Sequence, residues 1–234
     1  MTALSAPSAR RRFRFGTRRY SSVELLATLI LLFAVTPFIE DLPYGDLIEM
    51  CIMSLVLIAA MFAVGGRRQT LVVSAALLGP ALLGKWLAHL LPHLVPPHFF
   101  LGFGIAFVAL VVVNLLRFIL RASQVDTEVL CAGISAYLML GLLWALAYVW
   151  VARVTPDAFA FSAGTDHTMD SFNGFYLSFV TLSTLGFGDV TPVSKLARTL
   201  TVMEAVSGTF FVTVLIARLV AMYSPSQGVS SDSP

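Results

Sequence analysis

The sequence predicts an all-α membrane protein built of six transmembrane helices and one shorter re-entrant helix. Three observations carry that prediction. Of the 234 residues, 58% are hydrophobic and only 12% are charged, too little polar surface to coat a soluble globule of this size. Windows of about 20 mostly apolar residues, the length that crosses roughly 30 Å of hydrocarbon as a helix, recur near 22–40, 46–65, 69–92, 98–121, 127–152 and 194–222. Before the last of them lies an apolar segment near 170–184, about half the length a crossing needs.

The first window is too long for the core of a signal peptide, and no small-residue cleavage site follows it, so it is expected to stay as a permanent span. Loop charge sets the orientation. Arg10, Arg11, Arg12, Arg14, Arg18 and Arg19 precede span one, Arg67 and Arg68 follow span two, Arg117 and Arg121 end span four, and Arg218 ends span six. Together these are eleven of the fifteen Lys and Arg residues, which places both termini on the cytoplasmic side. Lys85, Arg153, Lys195, Arg198, Glu40, Asp41, Asp157, Asp166 and Asp170 fall on the other side. The membrane expected is a plasma membrane of the bacterial inner-membrane type. The amino-terminal basic cluster lacks the interleaved aromatics that stack on bases, so no nucleic acid is expected.

Pro43, Pro92, Pro96, Pro97 and Pro156 fall in or beside the outer loops, where a missing amide donor leaves nothing unsatisfied in lipid. Pro80, inside span three, predicts a kink, either a hinge or a feature of ordinary packing. Cys51 and Cys131 lie in apolar stretches without metal-site spacing and read as buried, reduced thiols. The organisation that follows is a basic segment 1–21, a four-helix domain 22–121, a second domain 127–222 and a polar tail 223–234 expected to be disordered. Membrane lipids are the surrounding partners.

The residues after the re-entrant segment carry the chemistry. A cation entering a narrow pore sheds its water, and closely spaced layers of oxygen must replace it. Backbone carbonyls form such layers if successive residues alternate between conformations of opposite hand, which Gly186 and Gly188 permit for want of a Cβ. Thr184 adds a hydroxyl at the inner end of the row and Asp189 a carboxylate at the outer end. One chain supplies one oxygen per layer. Enclosing a bare cation therefore takes several copies around an axis, and closed fourfold symmetry, with three identical subunits as partners, is the economical arrangement.

Thr181-Leu182-Ser183-Thr184-Leu185-Gly186-Phe187-Gly188-Asp189 resembles the signature of potassium channels, whose usual filter is the standard example of carbonyl coordination. The resemblance covers about 127–222, as outer helix, pore helix, filter and inner helix. It implies a homotetramer that conducts K+ passively. Thr184, Leu185, Gly186, Phe187 and Gly188 would coordinate K+ in the filter, with no organic cofactor. Leu185 and Phe187 replace the commoner Val and Tyr. Phe187 cannot donate the phenolic hydrogen bond that braces many such filters, so it is expected to pack against Tyr176 and to give a filter that inactivates more readily.

The helix from about Ser171 to Ser183 is expected to aim its negative end at the ion path, capped at its start by Asp170. Tyr176, Thr181, Ser183, Asp189 and Glu204 are the expected filter supports. Glu204, a carboxylate about ten residues into a span, needs water or a partner, and Thr181, Ser183 or a backbone amide are the partners the spacing offers; a packed, protonated acid is the plainer alternative. Gly208 is either a gating hinge, as its offset from Gly188 in similar channels implies, or a point of close helix packing. Helical spacing puts Thr209, Val212, Ile216 and Val220 on one stripe, lining a cavity and constriction or facing lipid.

The first four spans do not read as a voltage sensor. Arg117 and Arg121 lie near one end of span four beneath an apolar run. Each unit charge crossing the whole membrane gains only about 2.3 kcal/mol per 100 mV. Asp46 and Glu49 could pair with Lys85 across adjacent helices, or Lys85 could snorkel alone. His89, His93 and His98 near one outer loop are surface histidines, an acid sensor or a metal site. Two other function classes stay open beside the channel: a weakly selective cation channel or transporter module, and an integral-membrane enzyme. Transporters of that kind carry four filter segments in one chain, against one here, and no converging nucleophile, base or metal ligands appear.

Overall fold

The computed structural model of the chain describes residues 21–39, 44–64, 68–90, 97–122, 124, 126–162 and 168–223. The amino-terminal arginines, the tail beyond Tyr223, His93 and the side chains of Asp46 and His98 lie outside the described residues. Seven helices follow one another among them: α1 (Ser21–Ile39), α2 (Gly45–Val64), α3 (Arg68–Leu90), α4 (Pro97–Arg121), α5 (Thr127–Val154), α6 (Ser171–Leu182) and α7 (Lys195–Tyr223). Two three-residue strands, β1 (Phe159–Phe161) and β2 (Val190–Pro192), pair antiparallel with Ala160 opposite Thr191. The sequence reading contains no strand. So short a ladder carries too few alternating positions to register as a pattern, and its partners are about thirty residues apart.

Among the described residues, four helices are long and apolar enough to cross a membrane: Arg68–Leu90, Phe100–Arg121, Thr127–Val154 and Lys195–Ala221. Ser22–Phe38 and Leu47–Ala63 are shorter apolar stretches. With 12 residues, α6 is roughly 18 Å long at 1.5 Å per residue, well short of the bilayer core.

Local chemistry sets the helix starts. Asp126 Oδ1 accepts from Val129 N at 2.9 Å to cap α5, and Asp170 Oδ1 accepts from Asn173 N at 2.8 Å to cap α6, each satisfying one of the orphan amides of a first turn. Helix α3 runs on through Pro80. Glu49 of α2 takes the cross-helix ion pair, with Lys85 Nζ 3.5 Å from Glu49 Oε1.

One apolar core joins Leu25, Leu29 and Leu32 of α1, Val56 of α2, Phe107, Val108 and Val111 of α4 and Ala132, Ala136 and Met139 of α5. The small residues of α5 let α4 and α1 approach it closely. A second cluster, with Tyr148, Val151, Phe159, Leu177, Val190 and Ala197, seals the opposite end of α5 beneath the strand pair. Helix α7 is different. Val202, Met203, Val206, Phe210 and Val214 are each about half exposed or more, so its apolar surface points outward on several sides. Such a helix needs lipid or further protein around it. Cys51 is likewise exposed and Cys131 half-buried, where the sequence reading expects both to be buried, because each lies on an outward face of its helix.

Candidate functional site

The loop that leaves α6 has an alternating backbone. Thr184, Gly186 and Gly188 have φ of 60°, 57° and 82°, while Leu185 and Phe187 between them do not enter the positive region. Glycine reaches this region freely; a β-branched residue does so at a cost of about 1–2 kcal/mol. Thr184 is the position the sequence does not disclose, since only the two glycines announce the alternation.

Three amides of the loop fold back onto the end of α6. Thr184 N donates to Thr181 O at 2.9 Å, and Leu185 N and Gly186 N donate to Val180 O at 2.9 and 3.4 Å. Among the described residues, no hydrogen bond ends on the carbonyl oxygens of residues 184–188. The loop is therefore pinned through its donors and leaves its acceptors free. It is also uncovered, with Leu185 61% and Phe187 66% exposed.

The far end of the loop is anchored on two sides. Tyr176 Oη donates to Asp189 Oδ2 at 2.6 Å, and Val190 N donates to Asp189 Oδ1 at 3.1 Å. Ser162 N, just past β1, donates to Asp189 O at 2.8 Å. The hydrogen bond from Tyr176 holds the Asp189 carboxyl below the usual carboxylate range. Tyr176 thus acts through its hydroxyl on Asp189. Among the described residues, the expected ring packing of Tyr176 on Phe187 is not made, and Phe187 is exposed.

Glu204 is fully buried, but its partners differ from those the spacing offers. Tyr148 Oη of α5 donates to Glu204 Oε2, and Ser178 Oγ of α6 lies 2.5 Å from Oε1 and 2.7 Å from Gly141 O. Ser183 Oγ instead returns to Phe179 O at 2.6 Å, and Thr181 offers its backbone carbonyl to Thr184. The hydroxyl of Ser178 has one proton for two oxygens. A carboxyl that keeps its own proton and donates to Ser178 turns all three contacts into full hydrogen bonds. The Glu204 side chain thereby ties α5, α6 and α7 together. Trp144 Nε1 adds a second tie, donating to Ser207 Oγ at 3.2 Å.

Gly208 meets the end of α6. A Cβ built there would lie 2.8 Å from both Leu182 O and Leu182 Cδ1, so close packing is the observed reason for glycine. Thr209, Val212, Ile216 and Val220 are all exposed on α7. Among the described residues, no group of three or more His, Cys, Asp or Glu is arranged to hold a metal ion, and His89 is exposed.

Residues 132–224, which hold α6, the alternating loop and α7, match the family model described as ion channel. This part of the chain is similar to an ion-channel domain. With four helices apolar and long enough to cross a bilayer, the protein is a multi-pass membrane protein. The match begins inside α5 and leaves α1 to α4 outside it. No curated protein and no solved structure matches the chain.

Proposed function

We propose that the protein is one subunit of a fourfold-symmetric, K+-selective channel that conducts passively, without covalent chemistry. One observation carries this reading. Residues 184–188 alternate in backbone hand while their carbonyl oxygens accept no hydrogen bond among the described residues. A polar row left unpaired at membrane depth is tolerated where it lines a path for water or ions. Carbonyls in such a row replace the hydration shell of K+. The exposed Leu185 and Phe187 and the outward apolar surface of α7 are the faces that three further copies would cover.

In this reading α6 is the pore helix, Asp189 the outer mouth and α7 the inner helix. Thr209, Val212, Ile216 and Val220 then line the inner path. Six helices cross the membrane, α1 and α2 among them, with both termini in the cytoplasm. Helices α1 to α4 form a four-helix domain, packed on α5, that moves no charge comparable to a voltage sensor, since Arg117 and Arg121 both lie near the end of α4.

Purified protein in planar bilayers, with K+ on one side and Na+ on the other, tests the proposal. The reversal potential should lie close to that of K+ alone. A reversal potential near zero would favour the weakly selective cation channel instead.

A further inference from the structure

Between the amino-terminal helices and α6 lies a cavity of about 460 Å³, within the range of roughly 300–1,000 Å³ that encloses small organic ligands. Its walls are apolar along most of their depth, with Met53, Leu57, Leu142, Leu146 and Phe175 among them. Its polar groups sit together at one end. Lys85 and His89 come from the last turns of α3, Glu49 from the start of α2, Arg153 from the end of α5 and Ser171 from the first turn of α6.

The charge at that end is unbalanced. Lys85 is partly engaged by Glu49 at 3.5 Å, while Arg153 is exposed and makes no ion pair among the described residues. Among the described lining residues, two permanent cations therefore face one carboxylate. An apolar shaft suits hydrocarbon and a cationic rim suits an anion, so the site as a whole fits a molecule that is both. Basic pockets between membrane helices take anionic headgroups for this reason.

We propose that this cavity holds an acyl chain of an anionic phospholipid, with its phosphate at Arg153 and Lys85 and its tail against Phe175. The inference rests on the reading of the chain as a membrane channel. It also gives the front helices a task. Phe175 packs on Phe33 of α1 and on Phe179 of α6, with ring centroids 4.8 and 4.7 Å away, and Phe33 lies 5.1 Å from Phe179. A tail seated on Phe175 bears on α6 from behind, through the same rings that join α6 to the amino-terminal domain.

The test is native mass spectrometry of the full chain, stripped of co-purified lipid and re-equilibrated with vesicles of equal dioleoyl phosphatidylglycerol and dioleoyl phosphatidylcholine. The wild type should retain phosphatidylglycerol in preference. Lys85→Gln and Arg153→Gln should each weaken that retention about fivefold, the effect of one basic residue near an anionic headgroup. Ala81→Phe, which fills the cavity from α3, should remove it. Where that variant does not assemble, Ala88→Phe asks the same question from the same helix. Equal retention of the two lipids, or retention unchanged in the charge variants or in the filled variant, would overturn the proposal. Retention is read without any current, so a failure of K+ selectivity stays separate from a failure of this site; protein that never enters vesicles would sink the channel reading itself.

Discussion

Tyr176 Oη and Asp189 Oδ2, thirteen residues apart in sequence, are joined by a 2.6 Å hydrogen bond that fastens the outer end of the carbonyl loop to the helix behind it. Tyr176→Phe deletes this bond and little else. A net hydrogen bond to a charged group is worth about 1.5–3 kcal/mol, and the solvent around Asp189 reduces that. We expect open periods shortened several-fold in single-channel recordings with K+/Na+ preference retained. Unaltered open times would show that the bond does not hold the loop.

The same bond makes a prediction about acid. Asp189 is held below its unfolded value by Tyr176, so its contribution is fully present above the ordinary Asp value of about 3.9. It is lost as pH falls through the lower, folded value. Acidifying the Asp189 side should therefore leave the open time of the wild type unchanged down to about pH 4 and shorten it below. Tyr176→Phe, lacking the bond, should lose that step; a drop already complete at pH 5 would assign it to another group.

Much of this arrangement is legible in the residues. Apolar windows of spanning length locate the six long helices to within a few residues, because in lipid only helix or closed barrel satisfies the backbone. Asp170 is readable as a cap from its place before an apolar run. What escapes is whatever depends on a partner distant in sequence. Glu204 is conspicuous as an acid in a span, yet Tyr148 and Ser178, 56 and 26 residues away, carry no local mark as its partners. Thr184 escapes for another reason: its left-handed backbone is imposed by the bonds of its neighbours to Val180, against its own preference.

The proton count at Glu204 is testable by substitution. A glutamine can donate to Ser178 through its amide and accept from Tyr148 through its carbonyl, reproducing the neutral acid. Glu204→Gln should therefore assemble with thermal stability close to the wild type. Glu204→Ala takes the carboxyl away from Tyr148 Oη, leaves Ser178 Oγ with Gly141 O alone and opens a cavity, at a cost of about 1–3 kcal/mol for a buried group stranded. Equal losses in the two variants would mean that the carboxyl is charged.

Thr184 combines a strained backbone with a hydroxyl at the inner end of the loop. Thr184→Val keeps the branched shape and the strain but removes the hydroxyl, so assembly should persist while K+ conductance falls. Thr184→Gly relieves about 1–2 kcal/mol of left-handed strain and should raise the thermal stability of the assembly while lowering conductance as well. If Thr184→Val conducted like the wild type, the side chain would have no part in the ion path.

Close packing at Gly208 separates two roles for a glycine in an inner helix. A methyl group there would press on Leu182 O, a backbone atom that cannot swing aside. Overpacking of this kind costs about 1–3 kcal/mol. Gly208→Ala should therefore lower the melting temperature of the assembled protein whatever its gating state. A variant of normal stability that only opens less often would mark Gly208 as a hinge.

At the opposite end of α7, Arg218 Nη2 donates to Leu120 O at 3.2 Å and to Ala122 O at 2.7 Å. These are among the last carbonyls of α4 and the link that follows it, groups that a helix end leaves unsatisfied and that attract a cation. One guanidinium thereby latches the end of the amino-terminal domain to the helix that lines the proposed inner path. Arg218→Gln should free α7 from α4 and change the open probability, while the K+/Na+ preference proposed for the loop some thirty residues away should stay as it is. Arg218→Lys, a point charge in place of a planar fork, should keep one of the two bonds and fall between. Single-channel recording of the three proteins at fixed voltage checks this order, and identical open probabilities would show that the contact ties the helices without bearing on the gate.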